Sequence, residues 1–200
     1  MTNKNKSIQK RLLNAIPGGA HTYSRGYDQF PSNAPDILSK GKGAYVFDNN
    51  GNKYLDYGMA LRAVNIGYSE KIINQAAFDQ ILNGNNLTKP STIELEAAEL
   101  LIKEIKSIDM VKFTKNGSTA VSAGVKLARA YTGRDLIARC SQHPFFSYDD
   151  WFIGSTPIKK GIPKSIQKLT KHFYYNDIES LEKLIKRYPN KIACVVLEPA

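Results

Sequence analysis

The sequence predicts an α/β fold with a largely parallel sheet, preceded by a small segment of helix plus β-meander. Three observations predict it. From residue 92 onward, amphipathic helical stretches alternate with short apolar runs, the pattern of strand–helix–strand units. Before that, "ILSKGKGAYVFDNNGNKYLDYG" (37–58) alternates and turns like antiparallel strands. Finally, "IACVVL" (192–197) is apolar throughout, as strands buried on both faces of a parallel sheet are.

The elements follow in order. Residues 4–15 read as a short amphipathic helix, stopped by "PGGAHTYSRG". Tyr45, Phe47, Tyr54 and Leu55 favour strands, and "DNNGN" is a tight turn between them. Residues 69–83 have helical character, and "GNNLTKPST" is a loop. "TIELEAAELLIKEIK" (92–106) is a strong amphipathic helix, with Glu early and Lys late, as the helix dipole favours. "DMVKFT" (109–114) reads as a short buried strand. A helix at 118–131 and the strand "DLIAR" (135–139) follow, then an irregular aromatic segment at 140–157. A strand at 172–175, a helix at 177–187 and the strand at 192–197 complete the pattern. The expected division is a meander-bearing segment, 1–70, and the first part of a larger domain, 71–200. A parallel strand normally leads into a crossover, and none follows "IACVVL". The sequence is therefore expected to be the front part of a larger protein.

Composition narrows the function classes. With 42% hydrophobic and 10% aromatic residues, the chain is a folded protein rather than a disordered one. Its longest apolar runs are too short to span a bilayer, and the basic "MTNKNKSIQK" lacks the apolar core of a signal peptide. The expectation is a cytoplasmic protein with no membrane partner. Cys140 and Cys194 are too few for a disulfide framework or a typical zinc site, and read as buried free thiols. The net charge of +10 comes from scattered lysines, with no zinc-finger, RNP-like or basic-zipper pattern. A solvated basic surface accounts for it, and no nucleic-acid partner is expected.

Four stretches carry candidate chemistry. "TKNGSTAVSAGVKLAR" (114–129) places a polar, glycine-bearing break directly before a run of helix formers. Such a helix start leaves backbone N–H groups unpaired, and those donors suit an anion. Neither the P-loop spacing nor G-x-G-x-x-G is present, so a plain helix cap explains the motif equally well on its own. "CSQHPFFSYDDWFIG" (140–154) offers aromatic residues for a flat ring or, more commonly, for a core. Its His143 has no second ligand at metal spacing, so no metal site is expected. "LEP" (197–199) puts Glu198 at the C-terminal end of an apolar strand, where α/β proteins bind ligands. "HTYSRG" puts Arg25 on a Gly-rich loop, and Arg suits carboxylate or phosphate.

The order of "PGGAHTYSRG", "GAYVFDNNGNKYLDY", "KPSTIELEAAELL", "FTKNGSTAVSAGVKLARAYTGR", the aromatic segment and "VVLEPA" resembles the N-terminal portion of class III aminotransferases, of pyridoxal-phosphate fold type I. The nearest branch is that of the glutamate-1-semialdehyde 2,1-aminomutases and their aminotransferase relatives. The resemblance covers nearly the whole chain. It implies pyridoxal 5'-phosphate as cofactor, a small-molecule amino or keto substrate, and a homodimer. It implies that Gly117 and Ser118 hold the cofactor phosphate, while Thr119 falls where relatives usually carry Glu. Phe145 matches the aromatic residue that stacks on the cofactor ring. Phe146 is the adjacent alternative, because relatives read aromatic-His-Gly where this chain reads "FFS". Glu198 matches the active-site Glu before Pro, and Arg25 the arginine that binds a substrate carboxylate. The family's catalytic Lys, and the Asp that pairs with the cofactor ring nitrogen, lie beyond Pro199. The resemblance therefore implies that these 200 residues are inactive alone. Arg62 and "HPFFSYDDW" depart from the aminomutase pattern and allow a keto-sugar aminotransferase of surface polysaccharide biosynthesis instead. A non-catalytic product of a truncated or split gene is the remaining alternative.

Overall fold

A computed structural model describes residues 3–199. The chain forms two compact units, Met1–Pro90 and Ser91–Ala200, each considered by itself.

The first unit opens with helix α1 (Asn3–Ala15) and three short 3-10 turns, the second of which, Tyr23–Arg25, carries Arg25. The meander follows as an antiparallel sheet of β1 (Leu38–Lys42), β2 (Tyr45–Asp48) and β3 (Lys53–Leu55). Asp48 builds the turn between β2 and β3: its carboxylate accepts from the Asn50 and Asn52 N–H groups at 2.8 and 2.9 Å. Next comes α2 (Met59–Arg62), a single turn whose four residues all have φ between 46° and 69°. Left-handed backbone costs L-residues about 1–2 kcal/mol each. Asp56 supports the turn by accepting from the Gly58 and Met59 N–H groups and from the Tyr68 hydroxyl. Helix α3 (Lys71–Leu82) completes the unit.

In the second unit, α4 (Thr92–Glu104) starts at a capping box, with the Ser91 N–H donating to Glu94 at 2.6 Å and the Glu94 N–H donating back at 3.4 Å. Helix α5 (Gly117–Thr132) starts at Asn116 and ends at Gly133, whose φ of 65° lets its N–H reach the Arg129 carbonyl at 2.9 Å. Then follow β4 (Leu136–Cys140), α6 (Asp150–Ile153), α7 (Lys164–Gln167), β5 (Thr170–Phe173), α8 (Ile178–Arg187) and β6 (Ile192–Val196). The three strands form a parallel sheet in the order β5-β4-β6, as the alternating pattern predicts. Period-two alternation along β4 divides the core. Ile137 packs with Val125, Trp151 and Phe152 on one face, and Ala138 and Cys140 pack with Phe173 on the other. No helix among the described residues is long and apolar enough to cross a membrane.

Three expectations need correction. Residues 109–114 form no strand: the backbone makes no ladder among the described residues, and Met110 and Phe113 are exposed. Apolar β-formers become a strand only when a neighbour supplies hydrogen bonds and a surface to cover. Strand β6 is half-buried rather than fully buried, because β4 is its sole ladder partner among the described residues. Cys194 on it is accordingly half-buried, while Cys140 is fully buried.

Candidate functional site

The first turn of α5 is the start of the site. The Asn116 side chain accepts from the Thr119 N–H at 2.9 Å and from the Thr119 hydroxyl at 3.1 Å. The Ala120 N–H donates to the Asn116 carbonyl at 3.1 Å. Two donors remain, the N–H groups of Gly117 and Ser118, and neither has a partner among the described residues. The half-buried Ser118 hydroxyl has none either. Gly117 needs glycine for no internal reason. Its φ is outside the left-handed region, and a Cβ built there meets nothing within 4 Å. Thr119 belongs to the cap, since Asn116 takes both its N–H and its hydroxyl.

Hydrogen bonds bring the other candidates of this unit to the same place. The Ser147 hydroxyl donates to the Ser118 carbonyl at 3.4 Å, which sets the aromatic segment beside the turn. The Glu198 N–H donates to His143 Nδ1 at 3.0 Å, which sets the end of β6 beside that segment. Because Nδ1 accepts, the ring proton of His143 resides on Nε2. These bonds link the turn at Gly117 and Ser118, the segment that carries Phe145, and Glu198 just after β6. The last two segments follow the C-terminal ends of β4 and β6, where parallel sheets bind ligands.

The two phenylalanines divide their roles. Phe146 packs against the core and meets Phe152 edge-on at 5.7 Å. Phe145 also meets Phe152 edge-on at 5.7 Å but is 54% exposed, so it keeps a face for a flat ring. Trp151 and Phe152 are core residues, not pocket walls.

Sequence reasoning missed Arg139. This residue of β4 is 5% exposed and has no carboxylate partner among the described residues. Its guanidinium donates to the Ser155 hydroxyl at 2.7 Å, the Ser155 carbonyl at 3.1 Å, the Cys140 carbonyl at 3.0 Å and the His143 carbonyl at 3.4 Å. It also lies 4.9 Å over the Phe152 ring. Burial pulls its pKa below the usual guanidinium value. Together with burial, its charge lowers the pKa of His172. Arg139 anchors the loop that leads to Phe145, and the apolar look of "DLIAR" gave no signal for it. Burial pushes the Cys194 thiol pKa up, which disfavours its thiolate.

Arg25 belongs to the first unit. It is exposed on its 3-10 turn, and its guanidinium has no partner among the described residues.

Known proteins carry the same arrangement of chain. The family model described as Aminotransferase class-III matches residues 23–200. The glutamate-1-semialdehyde 2,1-aminomutase of Wigglesworthia glossinidia brevipalpis is 35% identical over 214 aligned residues, covering 98% of this chain and 48% of that protein. Among solved structures, the FumI protein of Sphingopyxis sp. MTA144, in its PLP internal aldimine form, superposes with a TM-score of 0.88 at 31% identity, covering 97% of this chain and 46% of that one. An omega-transaminase from Sphaerobacter thermophilus superposes with a TM-score of 0.87 at 27% identity, covering 98% and 47%. The chain spans about half the length of the curated relatives it matches.

Proposed function

The chain belongs to the class III aminotransferase family, and from this premise we propose that the full-length protein transfers amino groups with pyridoxal 5'-phosphate, as an aminomutase of the glutamate-1-semialdehyde type or a related aminotransferase. The assembly is a homodimer, the usual state of the family. The carrying observation is the pair of unpartnered N–H groups at Gly117 and Ser118, beside a glycine that the chain's own packing does not require.

The residues fit the cofactor. Gly117 and Ser118 offer donors to a phosphate at the positive end of α5, Phe145 offers a ring face, and Glu198, whose backbone N–H bonds to His143, offers a carboxylate. The bound cofactor supplies an electron-withdrawing ring that carries the amino group. The protein's part is to orient that ring and to hold the phosphate. Thr119 takes no part, because Asn116 occupies its donors.

Removing the Ser118 hydroxyl tests the reading. A hydrogen bond to a charged group contributes about 1.5–3 kcal/mol, so Ser118→Ala is expected to weaken cofactor affinity about tenfold or somewhat more. Absorbance titration of the full-length apoprotein measures it.

For the substrate, Arg25 is proposed to bind a carboxylate. Arg25→Ala is then expected to raise KM for glutamate semialdehyde by about tenfold, with kcat little changed, the signature of lost uniform binding. Unchanged kinetics with that substrate would show that Arg25 binds no substrate carboxylate and favour the keto-sugar reading.

A further inference from the structure

A chain of buried hydroxyls runs behind the anion turn. The Trp151 indole N–H donates to Ser122 Oγ at 2.9 Å, and Ser122 Oγ lies 2.9 Å from Ser147 Oγ. Ser147 Oγ reaches the Ser118 carbonyl at 3.4 Å and accepts from the Asp149 N–H at 3.1 Å. Ser122, Ser147 and Trp151 are 4%, 0% and 5% exposed, so water does not substitute for these bonds. One proton arrangement leaves no group idle. Trp151 donates to Ser122, Ser122 to Ser147, and Ser147 to the Ser118 carbonyl. In the reverse direction the Ser122 proton has no acceptor among the described residues, and a buried idle donor is costly.

We propose that this directed relay is a positioning device: it fixes the distance between the anion donors at Gly117 and Ser118 and the ring face of Phe145. It rests on the cofactor reading above. Ser118 ends the relay, and Ser147 stands two residues after Phe145, so the relay joins the two segments that would meet opposite ends of one ligand. Sequence alone gives no hint of the relay, because Ser122 and Ser147 are 25 residues apart.

A positioning role has a signature that mere support of the fold lacks. A ligand held at both ends feels the spacing, and a ligand held at one end does not. Full-length apoprotein is therefore titrated with pyridoxamine 5'-phosphate, which would meet both segments, and with inorganic phosphate, which would meet only the turn. Ser147→Ala is expected to weaken the first about tenfold, the effect of losing one or two well-placed hydrogen bonds, and to leave the second within about twofold. Ser122→Ala is expected to do the same, and the double variant to lose no more than the weaker single variant, because the hydroxyls act as one chain. Ser122→Ala carries the test alone if Ser147→Ala does not fold. Equal loss of both ligands, additive losses, or wild-type affinity for pyridoxamine 5'-phosphate in the variants overturns the relay while the cofactor reading stands. A wild-type protein that binds neither ligand overturns the cofactor reading and the relay with it.

Discussion

Gly117→Val is expected to weaken binding of pyridoxal 5'-phosphate by about a hundredfold or more while the protein stays folded. Both halves of this expectation come from the same place. Gly117 is the first residue of α5, its backbone is in a region any residue adopts, and a Cβ there meets nothing within 4 Å. Valine at this position changes intrinsic helix propensity by less than about 1 kcal/mol. The chain itself therefore gives no reason to keep glycine. A phosphate on the Gly117 and Ser118 N–H groups does give one, because a branched side chain beside those donors blocks close approach. Losing two charge-assisted hydrogen bonds at about 1.5–3 kcal/mol each corresponds to a factor of a hundred or more. Absorbance titration reads the affinity, and thermal unfolding of the apoprotein reads the fold. Wild-type affinity in both Gly117→Val and Ser118→Ala would show that this turn is only a helix cap.

The sequence made this turn legible because capping chemistry is local. Asn116 and the residues after it place the start of α5 within one residue of the observed Gly117, and Asp177 does the same for α8 at Ile178. Strands β4 and β6 were legible for a similar reason, since each carries a short apolar run between helices, whereas β5, "TKHF", is not apolar and lies at Thr170–Phe173 rather than at 172–175. What stayed hidden depends on partners distant in sequence. "DMVKFT" has the composition of a strand but no ladder among the described residues, so it stays irregular, with Met110 and Phe113 exposed. In "PFFS" nothing local says which ring turns inward, and contact with Phe152 and the core decides it. Arg139 looks misplaced in a buried strand until the carbonyls of Cys140, His143 and Ser155 are seen to surround it. Of the proposed site residues, Gly117 and Ser118 could be read from local pattern. Glu198 could be read from its place at the end of an apolar strand, Phe145 was singled out by resemblance, and the hydrogen bonds of Ser147 and His143 supply their physical setting.

The largest loss of stability is expected at Phe152, a residue outside the proposed binding surface. It is 1% exposed and holds the aromatic segment together. Phe145, Phe146 and Trp151 all meet its ring edge-on, at 5.7, 5.7 and 5.8 Å. The Arg139 guanidinium lies over the same ring at 4.9 Å. Phe152→Ala removes the shared wall of these contacts and leaves a cavity beneath Phe145, at a cost of about 3–5 kcal/mol. It also strips the buried guanidinium of its aromatic face, a contact that contributes about 2 kcal/mol when desolvated and overlaps with the cavity cost rather than adding to it. Phe145→Ala deletes a ring that is already 54% exposed, so its cost in stability is expected to be a fraction of that. The cofactor responses run the other way. Phe145→Ala weakens cofactor affinity in a protein of nearly normal stability, and Phe152→Leu restores most of the stability while Phe145 keeps its place. Denaturant unfolding of full-length apoprotein, with cofactor titration of the same samples, measures both quantities. Equal destabilisation by Phe145→Ala and Phe152→Ala would mean that the two rings share one core, and that Phe145 has no free face to offer a ligand.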